Sequence, residues 1–494
     1  MNRRDVILLS SVLITFIFLY LPVSSATYLY TDEAVQLWEY HHSKGFHMFL
    51  QQGRYITEML FHWRFGNART VSDVSSIRQF SLTGWLLCIP VWYFIIRNVV
   101  IREKLPQIIT FLSMVYLIAM PPMTISLVWA SCMELFIANT CGLLSGYCLY
   151  NGITKDKHDG KSISNSAVCG SLIFGLVALF TYQTGFGCFF LPFIIHLVAA
   201  GKPDRKIVIG IITSVTIYFI YLLLFRFSLQ AYQVTASNRT DIHIDVLNKL
   251  IFFMGRPLAS AFHFTFLFNE RSQPGTIVYL LLAASALAAI LIQRRAHTVK
   301  EQISYLGTLF VLLGLIYLPA FLVEENYSSN RTLMALKMAV FIVLTASLCI
   351  AFRSIKKQYA GAAVMAVLFV ANAWYNLHYL FLWPVKQEYQ QLTTAIEATI
   401  RPTTDTVYFL RPPEDFFEKK YSITRSWDEF GVPSSFFAWV PPYLVKQVVL
   451  EKTANSRLAE KLVIIHSLNR DSLLLHFPLN ASNVVYIDGP AMLK

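Results

Sequence analysis

The stretch VILLSSVLITFIFLYLPV, residues 6–23, contains no charged residue and approaches the ~20 residues that a helix needs to cross ~30 Å of hydrocarbon. Similar apolar runs occupy residues 82–100 and 339–352. Of the 494 residues in the chain, 55% are apolar and only 14% are charged, whereas soluble domains average about 25% charged residues. The sequence therefore predicts an α-helical polytopic membrane protein.

The first apolar run also has the outline of a secretory signal peptide, because MNRR (1–4) precedes it and the small residues SSA (24–26) follow it. Its apolar part is longer than the roughly 7–15 residues of a signal peptide. We therefore interpret it as a retained first transmembrane helix, with cleavage as the alternative.

The net charge of +12 lies mainly in short connections between apolar runs. These basic connections are residues 3–4, 97–104, 155–161, 202–206, 294–300 and 353–357. Because Lys and Arg are enriched in the cytoplasmic loops of membrane proteins, the charge predicts an orientation in the membrane and no nucleic-acid partner.

Placing the basic connections in the cytoplasm predicts about eleven transmembrane helices and a cytoplasmic amino terminus. The predicted spans are 6–26, 80–100, 105–127, 133–150, 167–184, 186–200, 207–226, 276–292, 303–323, 332–352 and 359–382. The extracytoplasmic face then receives the loops 27–79, 227–275 and 324–331 and everything from Trp383 onward. Since the long segments all lie on that face, we expect the protein to act there.

The segment 383–494 differs in composition from the membrane region, 1–382. It contains the strand-like pieces DTVYFLRP (405–412), KLVIIHS (461–467) and NVVYIDG (483–489), with a helical pattern between the first two. These pieces predict a small extracytoplasmic α/β domain, and no Gly-rich strand-to-helix turn typical of nucleotide binding is present.

The first outside loop contains two short helical patterns, which predict interfacial helices. Thr31 is a plausible N-cap for the first one, and Asp32 and Glu33 would occupy its first turn. The helix dipole favours ionised carboxylates there, and such a carboxylate at the lipid boundary suits a general base acting on a lipid-linked substrate. Acidic residues are also common in ordinary first turns, so both interpretations stay open.

Three arginines are predicted near the outside border of the membrane: Arg54, Arg256 and Arg331. A guanidinium group can bind a phosphate bidentately, and Arg54 together with Arg331 could stabilise a phosphate leaving group. The alternative is that these long side chains reach lipid headgroups.

The same border carries Tyr182 and Gln183 in FTYQTGFG (180–187) and Tyr327 in ENYSSNRTLMAL (325–336). We list these residues and Arg256 as candidate substrate contacts, with ordinary structural hydrogen bonding as the alternative.

Histidines are enriched in the first outside loop and could form a divalent-metal site, for Mg²⁺ or Mn²⁺, with the acidic pair. The candidates are His41, His42, His47 and His62 with Asp32 and Glu33, and above all Asp32, Glu33 and His41. Their spacing matches no standard metal motif, which favours a plain interfacial role for the histidines.

The border motifs follow one another in a set order after the first span: YTDEAVQLW (30–38), QQGRYITEML (51–60), YQTGFGCFFL (182–191) and YSSNRTLMAL (327–336). This order resembles the GT-C superfamily of membrane glycosyltransferases, and within it most the bacterial O-antigen glucosyltransferase family. The resemblance covers most of the membrane region and hardly touches the segment 383–494.

The resemblance implies an enzyme of the bacterial inner membrane that uses a polyprenyl-phosphate sugar as donor and a glycan or lipid-linked acceptor. Asp32 would be the catalytic base, Glu33 a helper or metal contact, and Arg54 and Arg331 the groups that stabilise the leaving lipid phosphate. Attack on the anomeric carbon would invert its configuration.

Two other functions remain as alternatives. A lipid-linked polysaccharide polymerase or ligase would use similar substrates on the same face. A transporter or flippase would be expected to carry ionisable residues deep inside its spans. The spans contain few ionisable residues, notably Glu134 and Lys337, and each of these lies near a predicted edge.

Overall fold

The computed structural model describes residues 3–43, 45–159, 164–237, 245–269, 272–293, 298–323, 326–351, 354–475 and 482–493. The helices that precede Trp383 are α1 (Arg3–Tyr20), α2 (Asp32–His42), α3 (Tyr55–Arg64), α4 (Val71–Arg102), α5 (Ile108–Ala119), α6 (Pro121–Val128), α7 (Leu135–Asp159), α8 (Asn165–Thr181), α9 (Leu191–Ala200), α10 (Arg205–Tyr232), α11 (Val246–Gly255), α12 (Pro257–Phe262), α13 (Gln273–Gln293), α14 (Val299–Ile316), α15 (Leu318–Leu322), α16 (Met334–Ala351) and α17 (Ile355–Tyr375).

The remaining elements form the C-terminal region, which begins at Trp383. Its elements are α18 (Trp383–Thr399), β1 (Thr406–Leu410), α19 (Phe416–Tyr421), α20 (Val440–Thr453), α21 (Ser456–Lys461), β2 (Val463–Ser467), α22 (Arg470–Leu474), β3 (Val484–Asp488) and α23 (Gly489–Met492).

Within the described ranges, nine helical segments are long and apolar enough to cross a membrane. They are Arg3–Ser25, Val71–Arg102, Ala130–Ile153, Gln183–Ala200, Arg205–Tyr232, Gln273–Ile292, Val299–Ile316, Met334–Ala351 and Lys356–Thr399. The pair α5 and α6 makes a tenth if its 43° bend lies within one span. The helical membrane fold is therefore confirmed, while the predicted count of eleven also requires α8, an apolar helix of 17 residues.

The bend between α5 and α6 has a local cause. Pro121 and Pro122 begin α6, and neither can donate a backbone N–H to continue the preceding helix. The residue before a proline is also pushed toward extended backbone, and Met120 has φ = −74° and ψ = 149°.

Helix α4 begins inside the predicted first loop, 27–79, and so shortens that loop. Thr70 and Asp73 form a capping box, in which the Thr70 side chain accepts from the Asp73 amide and the Asp73 carboxylate accepts from the Thr70 amide at 2.8 Å. These contacts satisfy backbone donors that a helix start leaves unpaired.

The three strands form a parallel sheet in the order β2-β1-β3, with Val407 opposite Ile464 and Val485. They coincide with the three strand-like pieces predicted from the sequence. The boundary predicted between residues 382 and 383 falls within a continuous helical stretch, because α17 continues through a π-helical segment, Asn376–Leu382, into α18.

The apolar core is divided into two main clusters. The larger one lies among the membrane-spanning helices. The second joins the first loop to the C-terminal region, since Leu37 and Phe61 belong to the same cluster as Val407, Val445 and Val448. The first loop therefore packs against the C-terminal region.

Candidate functional site

A cavity of about 470 Å³ lies between the first loop, the start of α7, the α8–α9 junction, α10 and the segment before α16. The sequence-predicted residues that line it are Asp32, Arg54, Tyr182, Gln183, Tyr327 and Arg331. The fold thus brings together residues that the sequence placed in separate border motifs.

Asp32 is the first residue of α2, is partly exposed and lines the cavity. The preceding residue, Thr31, adopts φ = 44° and ψ = −115°, and its amide donates to Ser434 Oγ at 2.7 Å. Thr31 occupies the N-cap position, as predicted, but its side chain makes no capping hydrogen bond. The C-terminal region instead holds the start of α2, and with it Asp32, by this backbone contact.

Glu33 is fully buried and does not line the cavity. Its Oε2 accepts from Arg78 Nη2 at 2.5 Å and from the Tyr30 amide at 2.8 Å, and its Oε1 accepts from the Ala130 amide at 2.6 Å. Burial raises the pKa of this carboxyl, and Arg78 and the amide donors oppose the shift. Because structural donors engage both oxygens, the predicted role of Glu33 as catalytic helper or metal contact does not fit.

Arg54 directly precedes α3 and is held by two side chains of the α8–α9 junction. Its Nε donates to Gln183 Oε1 at 3.0 Å, and its guanidinium carbon lies 4.2 Å from the centroid of the Tyr182 ring. Gln183 is fixed in turn, because its Nε2 donates to the Gln52 carbonyl at 2.7 Å and to Tyr221 Oη at 2.8 Å. The hydrogen bond that Arg54 makes to these residues uses Nε, which leaves its terminal amino groups for a ligand.

Arg331 is held by aromatic rings and by acidic residues of the C-terminal region. Its guanidinium carbon lies 4.4 Å from the Trp129 ring centroid, and Nη2 also contacts the Tyr327 hydroxyl. Nη2 lies 3.4 Å from Asp428 Oδ2, and Nη1 lies 3.8 Å from Glu429 Oε1. Burial raises the pKa of Glu429, and the charge of Arg331 opposes that rise.

Glu134, which was not among the predicted site residues, lines the same cavity. It is 1% exposed, and its Oε2 has no hydrogen-bond partner among the described residues. The positive charges of Arg54 and Arg331 both act on it. The available signal was a lone carboxylate in an apolar run, which in a membrane marks a functional position.

Asp428, Glu429 and Trp129 are also absent from the predicted site, yet all three contact Arg331. No sequence pattern connects Arg331 to positions 428 and 429, because the contact depends on how the C-terminal region folds back.

Besides Glu33, the predicted candidates Arg256 and His41 lie outside the cavity. Arg256 directly precedes α12 and lines a separate cavity of about 110 Å³ with His263 and Lys337. His41 Nε2 lies 2.5 Å from the Ala68 carbonyl. Arg256 is therefore not positioned to share a ligand with Arg54.

The predicted metal set of Asp32, Glu33 and His41 is not assembled. Glu33 is engaged by Arg78 and His41 by a carbonyl group. In the part of the chain that the structure describes, the one group of three residues with mutually close metal-binding atoms is His47, Glu58 and His62.

No protein-family model, curated protein or solved structure matches the chain. The site itself must therefore indicate the function. It combines carboxylates, two guanidinium groups stacked on aromatic rings, and an apolar wall, a set suited to an anionic, amphipathic ligand.

Proposed function

We propose that the protein is a membrane glycosyltransferase that moves a sugar from a polyprenyl-phosphate donor to a hydroxyl group of a cell-surface glycan or lipid-linked acceptor. In this proposal the cavity faces the extracytoplasmic side of a bacterial inner membrane, and the amino terminus is cytoplasmic. The supporting observation is that the Asp32 carboxylate and the Arg54 and Arg331 guanidinium groups line one cavity.

The apolar wall of the cavity supports a lipid-linked donor. Leu222, Phe225 and Leu229 of α10 line the cavity, while Phe219 and Phe227 on the same helix are 59% and 70% exposed. Exposed apolar side chains on a spanning helix suit contact with lipid. A donor could therefore keep its prenyl chain along α10 and place its phosphate between the arginines.

The proposed reaction is a single displacement at the anomeric carbon. The acceptor oxygen bonds to that carbon, its proton passes to Asp32, and the bond between the carbon and the phosphate oxygen breaks. The electron pair of that bond leaves with polyprenyl phosphate, whose charge Arg54 and Arg331 stabilise. Attack on the face opposite the phosphate inverts the anomeric configuration.

A flippase of lipid-linked glycans is the second candidate function. It is favoured by Glu134 and Lys337, which are each 1% exposed and lie in spanning segments, since buried ionisable groups in spans often mark transport paths. A flippase moves the donor without releasing polyprenyl phosphate.

The test is release of polyprenyl phosphate by the purified full-length protein in lipid nanodiscs, supplied with a panel of polyprenyl-phosphate sugars and glycan acceptors. Mg²⁺ and Mn²⁺ are added and omitted in parallel, because a divalent ion beside Asp32 stays a prediction. We expect Asp32→Asn to lower turnover by about 10²-fold or more, the typical contribution of a general base, with unchanged thermal stability.

The matched control is Glu39→Gln, on the same helix but outside the cavity lining, which should keep full turnover. Full turnover by Asp32→Asn would remove Asp32 as the base. Failure of every donor to release polyprenyl phosphate would contradict the proposed function itself.

A further inference from the structure

His47, Glu58 and His62 form a compact cluster in the first loop, outside the cavity lining. Glu58 and His62 are one turn apart on α3, and His47 comes from the segment between α2 and α3. Glu58 Oε1 lies 3.0 Å from His62 Nε2 and 3.5 Å from His47 Nδ1, and the two nitrogens are 3.2 Å apart.

These separations match one face of a tetrahedral metal site. In such a site, with ligands at about 2.0–2.1 Å from Zn²⁺, neighbouring ligand atoms are about 3.3 Å apart. The three measured edges, 3.0, 3.2 and 3.5 Å, bracket that value. Two imidazoles and one carboxylate are also a common ligand set for Zn²⁺ with an open fourth position.

The carboxylate is oriented for this role by contacts beyond the cluster. The Phe49 amide donates to Glu58 Oε2 at 2.7 Å, and the Tyr40 hydroxyl donates to Glu58 Oε1 at 3.3 Å. The Tyr40 ring packs edge-on against the His62 ring with centroids 4.9 Å apart. Outer contacts of this kind fix the orientation of metal ligands.

We propose that His47, Glu58 and His62 bind one divalent transition-metal ion of the Zn²⁺ class, with a fourth position open to solvent. The ion connects the segment before α3 to α3 itself. Met48, Phe49 and Gln52, in that segment, line the large cavity, so the ion stabilises one wall of the cavity. This inference is independent of sugar transfer.

The test is the metal content and metal affinity of the full-length protein, purified in detergent with its affinity tag removed, stripped with a chelator and reloaded with Zn²⁺. We expect one Zn²⁺ per chain after gel filtration and a higher unfolding temperature in the loaded protein. Losing an outer-shell contact weakens metal binding by up to about 100-fold. His47→Ala and His62→Ala each remove a ligand itself and should therefore weaken Zn²⁺ binding by more than that.

The variants are chosen to remain folded, because the side chains of His47 and His62 are 43% and 46% exposed. The matched controls are His41→Ala and His42→Ala, which remove histidines of the same loop that lie outside the cluster and should bind Zn²⁺ like the wild type. Co²⁺ loading adds a spectroscopic readout, since a tetrahedral site gives intense visible absorption that the double variant His47→Ala/His62→Ala should lack. Equal Zn²⁺ content in the wild type and the double variant would overturn the proposal.

Discussion

Arg54 and Arg331 each lie against an aromatic ring, at 4.2 Å from the Tyr182 centroid and 4.4 Å from the Trp129 centroid. A guanidinium group held over an aromatic ring is stabilised there by the ring. Arg54 uses Nε for its hydrogen bond to Gln183, so its planar fork is preorganised to bind a phosphate bidentately, which a lysine ammonium group cannot do.

We predict that Arg54→Ala weakens donor binding by about 10- to 100-fold. Hydrogen bonds to charged groups contribute about 1.5–3 kcal/mol, and each ~1.4 kcal/mol corresponds to a tenfold change in affinity. Titration of the nanodisc-embedded protein with a fluorescent polyprenyl-phosphate sugar measures the effect. Arg64→Ala is the control, because Arg64 lies on α3 and donates to the Ser76 carbonyl outside the cavity lining; equal affinities for the two variants would contradict the phosphate role of Arg54.

Asp32 and Glu33 are adjacent carboxylates with different surroundings. Successive residues on a helix point about 100° apart, so only one of the two can face a given ligand. The sequence could identify the pair but could not distinguish its members, because the partner that captures Glu33 is Arg78, 45 positions away.

We predict that Glu33→Gln lowers the free energy of unfolding by about 3–5 kcal/mol, since removing one partner of a buried ion pair leaves the other charge uncompensated. Arg78 is fully buried and would lose its carboxylate. Thermal unfolding in detergent measures the change, with Asp32→Asn as the adjacent control. A Glu33→Gln protein as stable as the control would show that the ion pair contributes nothing.

At the scale of elements, one carboxylate of the C-terminal region holds the short 3-10 helix Asn330–Thr332. Glu429 accepts hydrogen bonds from the Asn330 amide at 2.7 Å and the Arg331 amide at 3.0 Å. The Glu429 carbonyl also accepts from Tyr30 Oη at 3.1 Å. These contacts of Glu429, called the Glu429 junction below, position Arg331. They connect three distant parts of the chain, at Tyr30, Asn330–Thr332 and Glu429.

The Glu429 junction should make the free energy of unfolding depend on pH. Burial raises the pKa of Glu429 in the folded protein, whereas an unfolded glutamate titrates near ~4.3. Above that value the unfolded chain releases a proton that the folded chain keeps. The contribution of Glu429 to stability is therefore complete below pH ~4.3 and is lost as the pH rises through the raised pKa.

We expect the unfolding temperature of the wild type, measured from pH 4 upward and compared with that of Glu429→Gln, to fall relative to the variant across this window. Parallel curves for the two proteins would show that the carboxyl has an ordinary pKa.

Most spans could be predicted because a long apolar run is a local property of the sequence. The three strands were equally local, as short β-rich pieces. The start of α4 was missed because residues 71–79, VSDVSSIRQ, are polar enough to resemble a loop, and their helical structure depends on the capping box at Thr70.

At the scale of the whole molecule, the C-terminal region and the first loop share an apolar cluster. Leu37 and Trp38 of α2 belong to it together with Val445 and Val448 of α20. The C-terminal region therefore stabilises the loop that carries Asp32. A C-terminal domain that folded independently of the membrane region would not share an apolar cluster with this loop.

We predict that a chain truncated after residue 400 aggregates or unfolds at a lower temperature, because the truncation exposes the apolar residues of the first loop and removes the acidic partners of Arg331. Size-exclusion chromatography and thermal unfolding of the two proteins measure the effect. A monodisperse truncated protein with the unfolding temperature of the full chain would show that the regions are independent.

The arrangement of the site depends on contacts that no local pattern encodes. Tyr30 and Glu429 are 399 positions apart and still hydrogen-bond. The sequence could supply the residues at the rim of the cavity, Asp32, Arg54 and Arg331 among them, since each belongs to a recognisable border motif. It could not supply Glu429 as a site residue, because the relevance of Glu429 depends on tertiary packing, whereas Glu134 carried the signal of a lone carboxylate in an apolar run.

The central claim is that the cavity binds the phosphate of a lipid-linked sugar between two arginines. The most direct measurement is a cryo-electron microscopy structure of the full-length protein in nanodiscs with a non-hydrolysable polyprenyl-phosphonate sugar. The proposal predicts phosphonate density within hydrogen-bonding distance of Arg54 and Arg331, the sugar near Asp32, and the prenyl chain along α10. A ligand bound elsewhere, or a cavity that stays empty at saturating ligand, would contradict it.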